Sequence, residues 1–289
     1  VLELSSLLIL FGEVVDKVFL DAVQKISIKA DIIKSVADDF KLVYTPFHGT
    51  GLRPVTEILK RAGLKNFIVE PHQAEPDPAF STVVSPNPEN PEGFAMAIEL
   101  AKKENASIII GTDPDADRVG VVVRDAEGEY RVLSGNQTGA LLVEYVLSSK
   151  QARGQLTPKS TIITTVVTAD IGRVIAKHHG VQVIDVLTGF KWIAEKIALF
   201  EETGSNVYEF GYEESFGYLP GTYARDKDAV GTVLLIAEMA AAYQAKGMTL
   251  YDGLMALYEK YGYYKETQYA ITLKGIDGAA QISAMMDKL

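Results

Sequence analysis

The 289-residue sequence has no cysteine. That excludes disulfides and thiolate metal centres and fits a reducing compartment. No apolar run reaches the roughly 18–20 residues that span a bilayer. Positive charge is short, with 28 Lys and Arg against 38 Asp and Glu, a net charge of -10. Nucleic-acid phosphates would be repelled by such a surface. Neither nucleic acid nor a membrane is expected as a partner, and a cytoplasmic location is. The opening VLELSSLLILFG lacks the charged start and small-residue cleavage site of a signal peptide.

What is present is apolar mass. Hydrophobic residues make up 47% of the chain, enough for a substantial core. The length suits about two domains. Apolar residues at helical spacing predict a helix over 13–36, from Val14 to Ile26 and beyond. A strand follows at Lys41–Tyr44, a helix from Pro54 to Gly63 and a strand at Asn66–Glu70. Residues 71–91 hold six of the eleven prolines, which reads as a long, functional or interface-forming loop. A helix over Glu92–Asn105, a strand over Ser107–Ile110, the acidic loop GTDPDADR and the strand VGVVVR come next.

The second half repeats the alternation. Helices are expected at Asn136–Ser149, from a cap at Asp170 to Gly180, at Phe190–Glu202, Asp228–Lys246 and Thr249–Tyr261. Strands are expected at Thr161–Val167, Val181–Val186 and Asn206–Phe210, and again after Tyr264 ahead of a final helix. Thr249 and Asp252 form a capping-box pattern. The fold class is therefore α/β: two three-layer α/β/α domains with mainly parallel sheets and right-handed crossovers. The split falls near residues 128–135.

Asp113, Asp115 and Asp117 alternate in one short loop after a buried strand. Three converging carboxylates repel and raise one another's pKa, and a divalent cation removes that penalty. The donors are all oxygen, so a hard cation such as Mg²⁺ is favoured. Arg118 beside them is placed to hold a phosphate oxygen. The plain alternative is a solvated acidic turn. An EF-hand is a poor fit, with Arg118 and Arg124 where Gly and Glu are wanted. A phosphatase with Asp113 as nucleophile and Asp115 as acid fits less well, because Asp117 stands where Thr or Val is wanted.

GTDPDADRVGVVV resembles the metal loop of the α-D-phosphohexomutases, the phosphoglucomutase and phosphomannomutase family. The resemblance implies a phosphoglucomutase-like fold, with Asp113, Asp115 and Asp117 as ligands of one Mg²⁺ and Arg118 as a phosphate contact. GYEESFGYLPG, residues 211–221, is similar to the family's sugar-specificity loop. That implies that Glu213 and Ser215 bind ring hydroxyls, with Glu214 pointing elsewhere. Thr188 in the Thr-Gly-Phe-Lys element is implied to touch substrate, with Lys191 less so. Lys227 in RDKD is implied to act on phosphate or proton transfer. Catalysis would thus rest on Lys227 and Arg118, and substrate binding on Asp117, Arg118, Thr188, Glu213, Ser215 and Lys227. TPFHGTG, residues 45–51, and SPNPENPEG, residues 85–93, resemble shaped structural loops of the second family domain. His48 is read there as a packing or hydrogen-bonding residue.

The likeness spans about residues 40–260 and corresponds to the second and third of the family's four domains. The expected organisation is a linker or added segment at 1–12, the second domain at 13–130, the third at 131–262, and at 263–289 the start of a linker to a fourth. The family's Ser-His-Asn-Pro loop, whose serine is phosphorylated, does not occur in this sequence, nor does its Gly-Thr-Glu-Pro phosphate loop. A fragment of a larger enzyme is expected, inactive alone, with the first and fourth domains as its partners. The parent would interconvert glucose or mannose 1-phosphate and 6-phosphate, with glucose 1,6-bisphosphate as intermediate and activator. The double-Glu sugar loop leans toward glucose. The other readings are an aspartate-nucleophile Mg²⁺ phosphatase and a non-catalytic sugar-phosphate-binding module.

Overall fold

The structure is a computed structural model that describes residues 12–266, 273 and 275–288. The first half runs α1 (Glu13–Gln24), α2 (Ile32–Ser35), β1 (Leu42–Thr45), α3 (Leu52–Arg61), β2 (Phe67–Val69), α4 (Pro71–Ala74), α5 (Ala95–Glu104), β3 (Ile108–Thr112), β4 (Val119–Arg124) and β5 (Tyr130–Val132). The second half runs α6 (Gly135–Ala152), β6 (Ser160–Thr165), α7 (Asp170–His178), β7 (Gln182–Val186), α8 (Phe190–Thr203), β8 (Val207–Tyr212), β9 (Tyr218–Leu219), α9 (Ala229–Gln244) and α10 (Leu250–Tyr261). A further helix, α11 (Gly275–Met286), follows.

Two sheets result, ordered β2-β1-β3-β4-β5 and β7-β6-β8-β9. Strands joined by helical crossovers pair in parallel: β1 with β2 and β3, and β6 with β7 and β8. The strands joined by short turns, β4, β5 and β9, add on antiparallel. Helical connections are long enough to reverse direction twice and short turns are not, so the sheets are mixed. β5 and β9 are too short to show as hydrophobic runs in the sequence.

Each sheet is covered on both faces, as the alternation of side chains along a strand requires. Leu42 and Tyr44 of β1 and Ile108 and Ile110 of β3 face one core. Val43 and Ile109 face the other, against Phe47, Phe94 and α5. In the second sheet Ile163 packs on Phe190, Ile193 and Ile197 of α8, while Ile162 faces α6 and α7. α9 lies between the halves. It packs on α1, α2, α3, β3 and β4, and also on β9 and α6. Every residue from Ala229 to Ala242 is buried, and apart from Thr232 and Glu238 this stretch is apolar or glycine on every side, as a buried helix requires. One core cluster therefore runs through both halves. No described helix is long and apolar enough to cross a membrane.

The helix expected over 13–36 is broken. Glu238, fully buried on α9, draws the intervening backbone onto itself. Its carboxylate accepts the N–H groups of Ile28 (3.0 Å) and Lys29 (2.7 Å), the Tyr145 hydroxyl (2.7 Å) and the Ser27 hydroxyl. Those bonds replace the helical ladder between α1 and α2, and nothing in the local spacing announces them. The loop at 71–91 carries α4 and leads into a 3₁₀ turn at Pro91–Phe94, which delays α5. Asp170 does not cap α7. The cap position is Ala169, whose N–H is taken by Asn136 Oδ1 at 3.1 Å, and Asp170 pairs with Arg173 at 3.0 Å. Asp228 caps α9 through the N–H groups of Val230 and Gly231, and Thr249 with Asp252 forms the capping box of α10. The strand expected after Tyr264 lies largely outside the described residues.

Candidate active site

The acidic loop connects β3 to β4 at the edge of the parallel core. Asp113 is buried, Asp115 exposed and Asp117 half-buried, yet one oxygen from each lies within 4.8 Å of the others. Asp113 organises the turn, because its Oδ1 accepts the N–H groups of Asp117 (3.0 Å) and Arg118 (2.9 Å). Ala116 takes a left-handed φ of 58°, a conformation costly for a residue with a Cβ and common at functional sites. Burial first, and then the Asp117 and Asp115 charges, push the Asp113 carboxyl up to about 7, against the pull of the Arg118 N–H. An all-oxygen cluster with an elevated pKa fits a hard divalent cation.

The loop is buttressed from outside. The carbonyl of Pro114 accepts the Thr50 N–H at 2.8 Å. Gly49 lies so close that a Cβ there would stand 2.4 Å from Pro114 Cα. The TPFHGTG segment is therefore a brace for the acidic loop. His48 within it bonds the Glu75 carbonyl through Nδ1 (2.8 Å) and the Thr82 hydroxyl through Nε2 (2.7 Å).

The sugar-loop candidate turns between β8 and β9. Glu213 is buried, and its Oε1 accepts the Gly189 N–H at 2.9 Å. Burial raises its pKa, opposed by that N–H and by Lys227. The same contact fixes the turn that presents Thr188, which is exposed. Lys191 is also exposed and stacks its ammonium over Trp192, 4.9 Å from the ring centroid. Glu214 turns to the other side, where Thr165 (3.2 Å) and Thr168 (3.4 Å) donate hydroxyls to it. Ser215 is half-buried, and Phe216 takes a left-handed φ of 67°.

Main-chain bonds join the two loops. Arg118 and Gly217 form an antiparallel bridge, and Val119 N–H donates to the Phe216 carbonyl at 3.0 Å. Ala229 N–H donates to the Ala116 carbonyl at 3.0 Å, tying the acidic loop to the start of α9. Lys227, just ahead of that helix, reaches Asp117 Oδ2 at 2.9 Å and Asp226 at 3.4 Å. Burial lowers its pKa, but the Asp117 and Asp226 charges outweigh that and raise it overall. Arg118 bonds Glu89 at 2.7 Å, while its Nε stands 3.9 Å from Asp113 and 3.8 Å from Asp117. Sequence reasoning missed Glu89. Its loop stands out by its prolines, but nothing local distinguishes its carboxylate from that of Glu92.

Asp113, Asp115, Asp117, Arg118, Glu213 and Lys227 thus occupy one linked region, with Thr188 and Ser215 on its sugar-loop side. A groove of about 1210 Å³ opens beside Asp115 and Asp117, between α1, α3 and the 224–230 segment.

Comparison with known proteins matches two family domains in this chain. The family described as phosphoglucomutase/phosphomannomutase, alpha/beta/alpha domain II, matches residues 17–128, and domain III of that family matches 134–261. The chain belongs to the phosphoglucomutase/phosphomannomutase family. A phosphoglucomutase of Staphylococcus haemolyticus is 39% identical over 251 residues, 87% of this chain and 45% of the relative. The chain thus spans about half the length of the curated relatives it matches. Among solved structures, a candidate phosphomannomutase from Thermus thermophilus shares the fold at a TM-score of 0.65 and 23% identity, over 86% of this chain and 51% of that one. An N-acetylphosphoglucosamine mutase of Aspergillus fumigatus, solved with GlcNAc-6P and magnesium, aligns at a TM-score of 0.52 and 15% identity, over 81% of this chain and 52% of that one.

Proposed function

We propose that this phosphohexomutase-family chain carries the metal loop and the sugar-reading loop of an enzyme that interconverts glucose 1-phosphate and glucose 6-phosphate. The observation that carries the reading is the bridge between Arg118 and Gly217. It joins the three-carboxylate loop to the loop that resembles the family's sugar-specificity loop. The phosphoglucomutase relatives and the magnesium and sugar phosphate of the fungal structure support the substrate class and the cation. Mannose phosphates are the neighbouring substrates. A cytoplasmic setting belongs to the same reading.

In this reading Asp113, Asp115 and Asp117 hold one Mg²⁺, whose chemistry is Lewis-acid polarisation of the transferring phosphoryl group. Arg118 turns from Glu89 to a phosphate oxygen. Glu213 and Ser215 bind ring hydroxyls, and Thr188 orients the sugar. Lys227, held as an ammonium beside Asp117, suits a phosphate contact better than a base. The phosphoryl donor is a phosphoserine, which this sequence does not carry in the family's Ser-His-Asn-Pro form. Its P–O bond breaks as the free sugar hydroxyl forms a new one, and the hydroxyl proton passes to serine. Glucose 1,6-bisphosphate results, turns over and returns its other phosphate to the serine. Positioning and charge stabilisation supply most of the rate.

Calorimetric titration of the chain with glucose 1,6-bisphosphate, with and without Mg²⁺, tests this. Binding that needs Mg²⁺ and is lost in Asp115→Ala and in Glu213→Gln is expected. Release of phosphate from a generic ester, abolished by Asp113→Asn, would replace this reading with a phosphatase.

A further inference from the structure

Lys227 is positioned unusually for a residue that only waits for phosphate. Its side chain crosses Gly217 so closely that a Cβ there would meet Lys227 Cδ at 2.3 Å and Cγ at 2.9 Å. Glu213 Oε2 lies 3.6 Å from that same point. Its ammonium ends 2.9 Å from Asp117 Oδ2 and 5.9 Å from the centre of the Phe190 ring. Side-chain exposure there is only 16%. The lysine therefore runs from the RDKD segment, past the sugar loop, onto the acidic loop. One side chain both pairs with Asp117 and brushes the turn carrying Glu213.

A divalent cation on the three carboxylates would share Asp117 with that ammonium. Two cations on one half-buried carboxylate repel, and the water of the flanking groove screens that repulsion only in part. The ammonium has two further acceptors, the exposed Asp226 carboxylate at 3.4 Å and, within the sweep of its flexible arm, the buried Glu213 carboxylate across Gly217; the buried carboxylate gains more from a cation than the solvated one. We infer that Lys227 and the divalent cation compete for Asp117, so that loading the metal drives the lysine toward Glu213 and couples metal occupancy to the sugar loop. This rests on the metal-site assignment above and deepens it. Lys227 becomes a positioning residue whose location depends on the cation, besides any contact with phosphate.

The competition fixes the sign of a binding change. Calorimetry of Mg²⁺ binding to the intact chain, without substrate, should show Lys227→Met binding about five- to ten-fold tighter than the unaltered protein, the size expected for removing one partly screened like charge. Lys227→Arg, which keeps the charge, should stay near the unaltered affinity. Thermal unfolding supplies a second readout. Lys227→Met without Mg²⁺ should melt lower, and added Mg²⁺ should raise its melting temperature more than that of the unaltered chain. Weaker or equal Mg²⁺ affinity in Lys227→Met would overturn the competition while leaving the metal site intact. Absence of Mg²⁺ binding in every variant, or binding unaffected by Asp115→Ala, would overturn the metal-site assignment and the competition with it.

Discussion

Arg118 and Gly217 lie opposite each other in an antiparallel bridge, one from the acidic loop of the first sheet and the other from the loop between β8 and β9 of the second. This contact, with the bond from Val119 to Phe216, fixes the distance between the acidic loop and the β8–β9 loop by backbone geometry. Backbone bonds hold that spacing more rigidly than side chains could.

The brace at Gly49 should be intolerant of any side chain. A Cβ would stand 2.4 Å from Pro114 Cα, which is backbone and cannot rotate away. Gly49→Ala should cost about 2 kcal/mol of stability through overpacking and weaken Mg²⁺ binding. Urea unfolding paired with calorimetry would check both. A wild-type result in each would show that the acidic loop does not depend on this contact.

The Glu238 carboxylate is the fixed point around which residues 27–29 are wound. Glu238→Ala would leave two N–H groups and the Tyr145 hydroxyl without their acceptor inside the core. The expected loss is on the order of 4 kcal/mol. Hydrogen exchange should show the 25–31 segment opening before the rest of the core.

The acidic loop should also set a pH dependence. Asp113 holds its proton to about pH 7 in the folded protein, far above its ordinary range. Between about pH 4 and pH 7 the folded state therefore binds more protons than the unfolded state, and stability falls as pH rises through that window. Asp113→Asn should flatten this slope. Because protons and Mg²⁺ use the same oxygens, Mg²⁺ affinity should climb toward pH 7 and then level off. Melting curves and metal titrations across about pH 4.5–8 would read both, and a stability that rises over this range would contradict the assignment.

Much of this was legible in the sequence, for definite reasons. Asp113, Asp115 and Asp117 sit in one turn, and Glu213 and Ser215 in another, so a short window contains each constellation. The caps at Asp228 and Thr249 are likewise local. What escaped was held by partners distant in sequence. The break between α1 and α2 is made by Glu238, more than two hundred residues away. Arg118 is held by Glu89, and the start of α7 by Asn136 rather than its own Asp170. β5 and β9 have only three and two residues, too few for a periodic signal.

The chain should not by itself convert glucose 1-phosphate to glucose 6-phosphate, because the loop that would carry the phosphoserine is not in its sequence. A coupled assay with added glucose 1,6-bisphosphate would reveal any turnover. Measurable conversion would require a phosphoryl-accepting group elsewhere in these two domains.

The most direct test of the central claim, that the two loops form one site, is Mn²⁺ titration followed by NMR. Mn²⁺ takes the same oxygen ligands as Mg²⁺, and its unpaired electrons broaden nearby signals. The account predicts early loss of the amide signals of Asp115, Gly217 and Ser215 together, and no such loss in Asp115→Ala. Broadening centred on another region, or confined to the acidic loop with Gly217 and Ser215 unaffected, would contradict it.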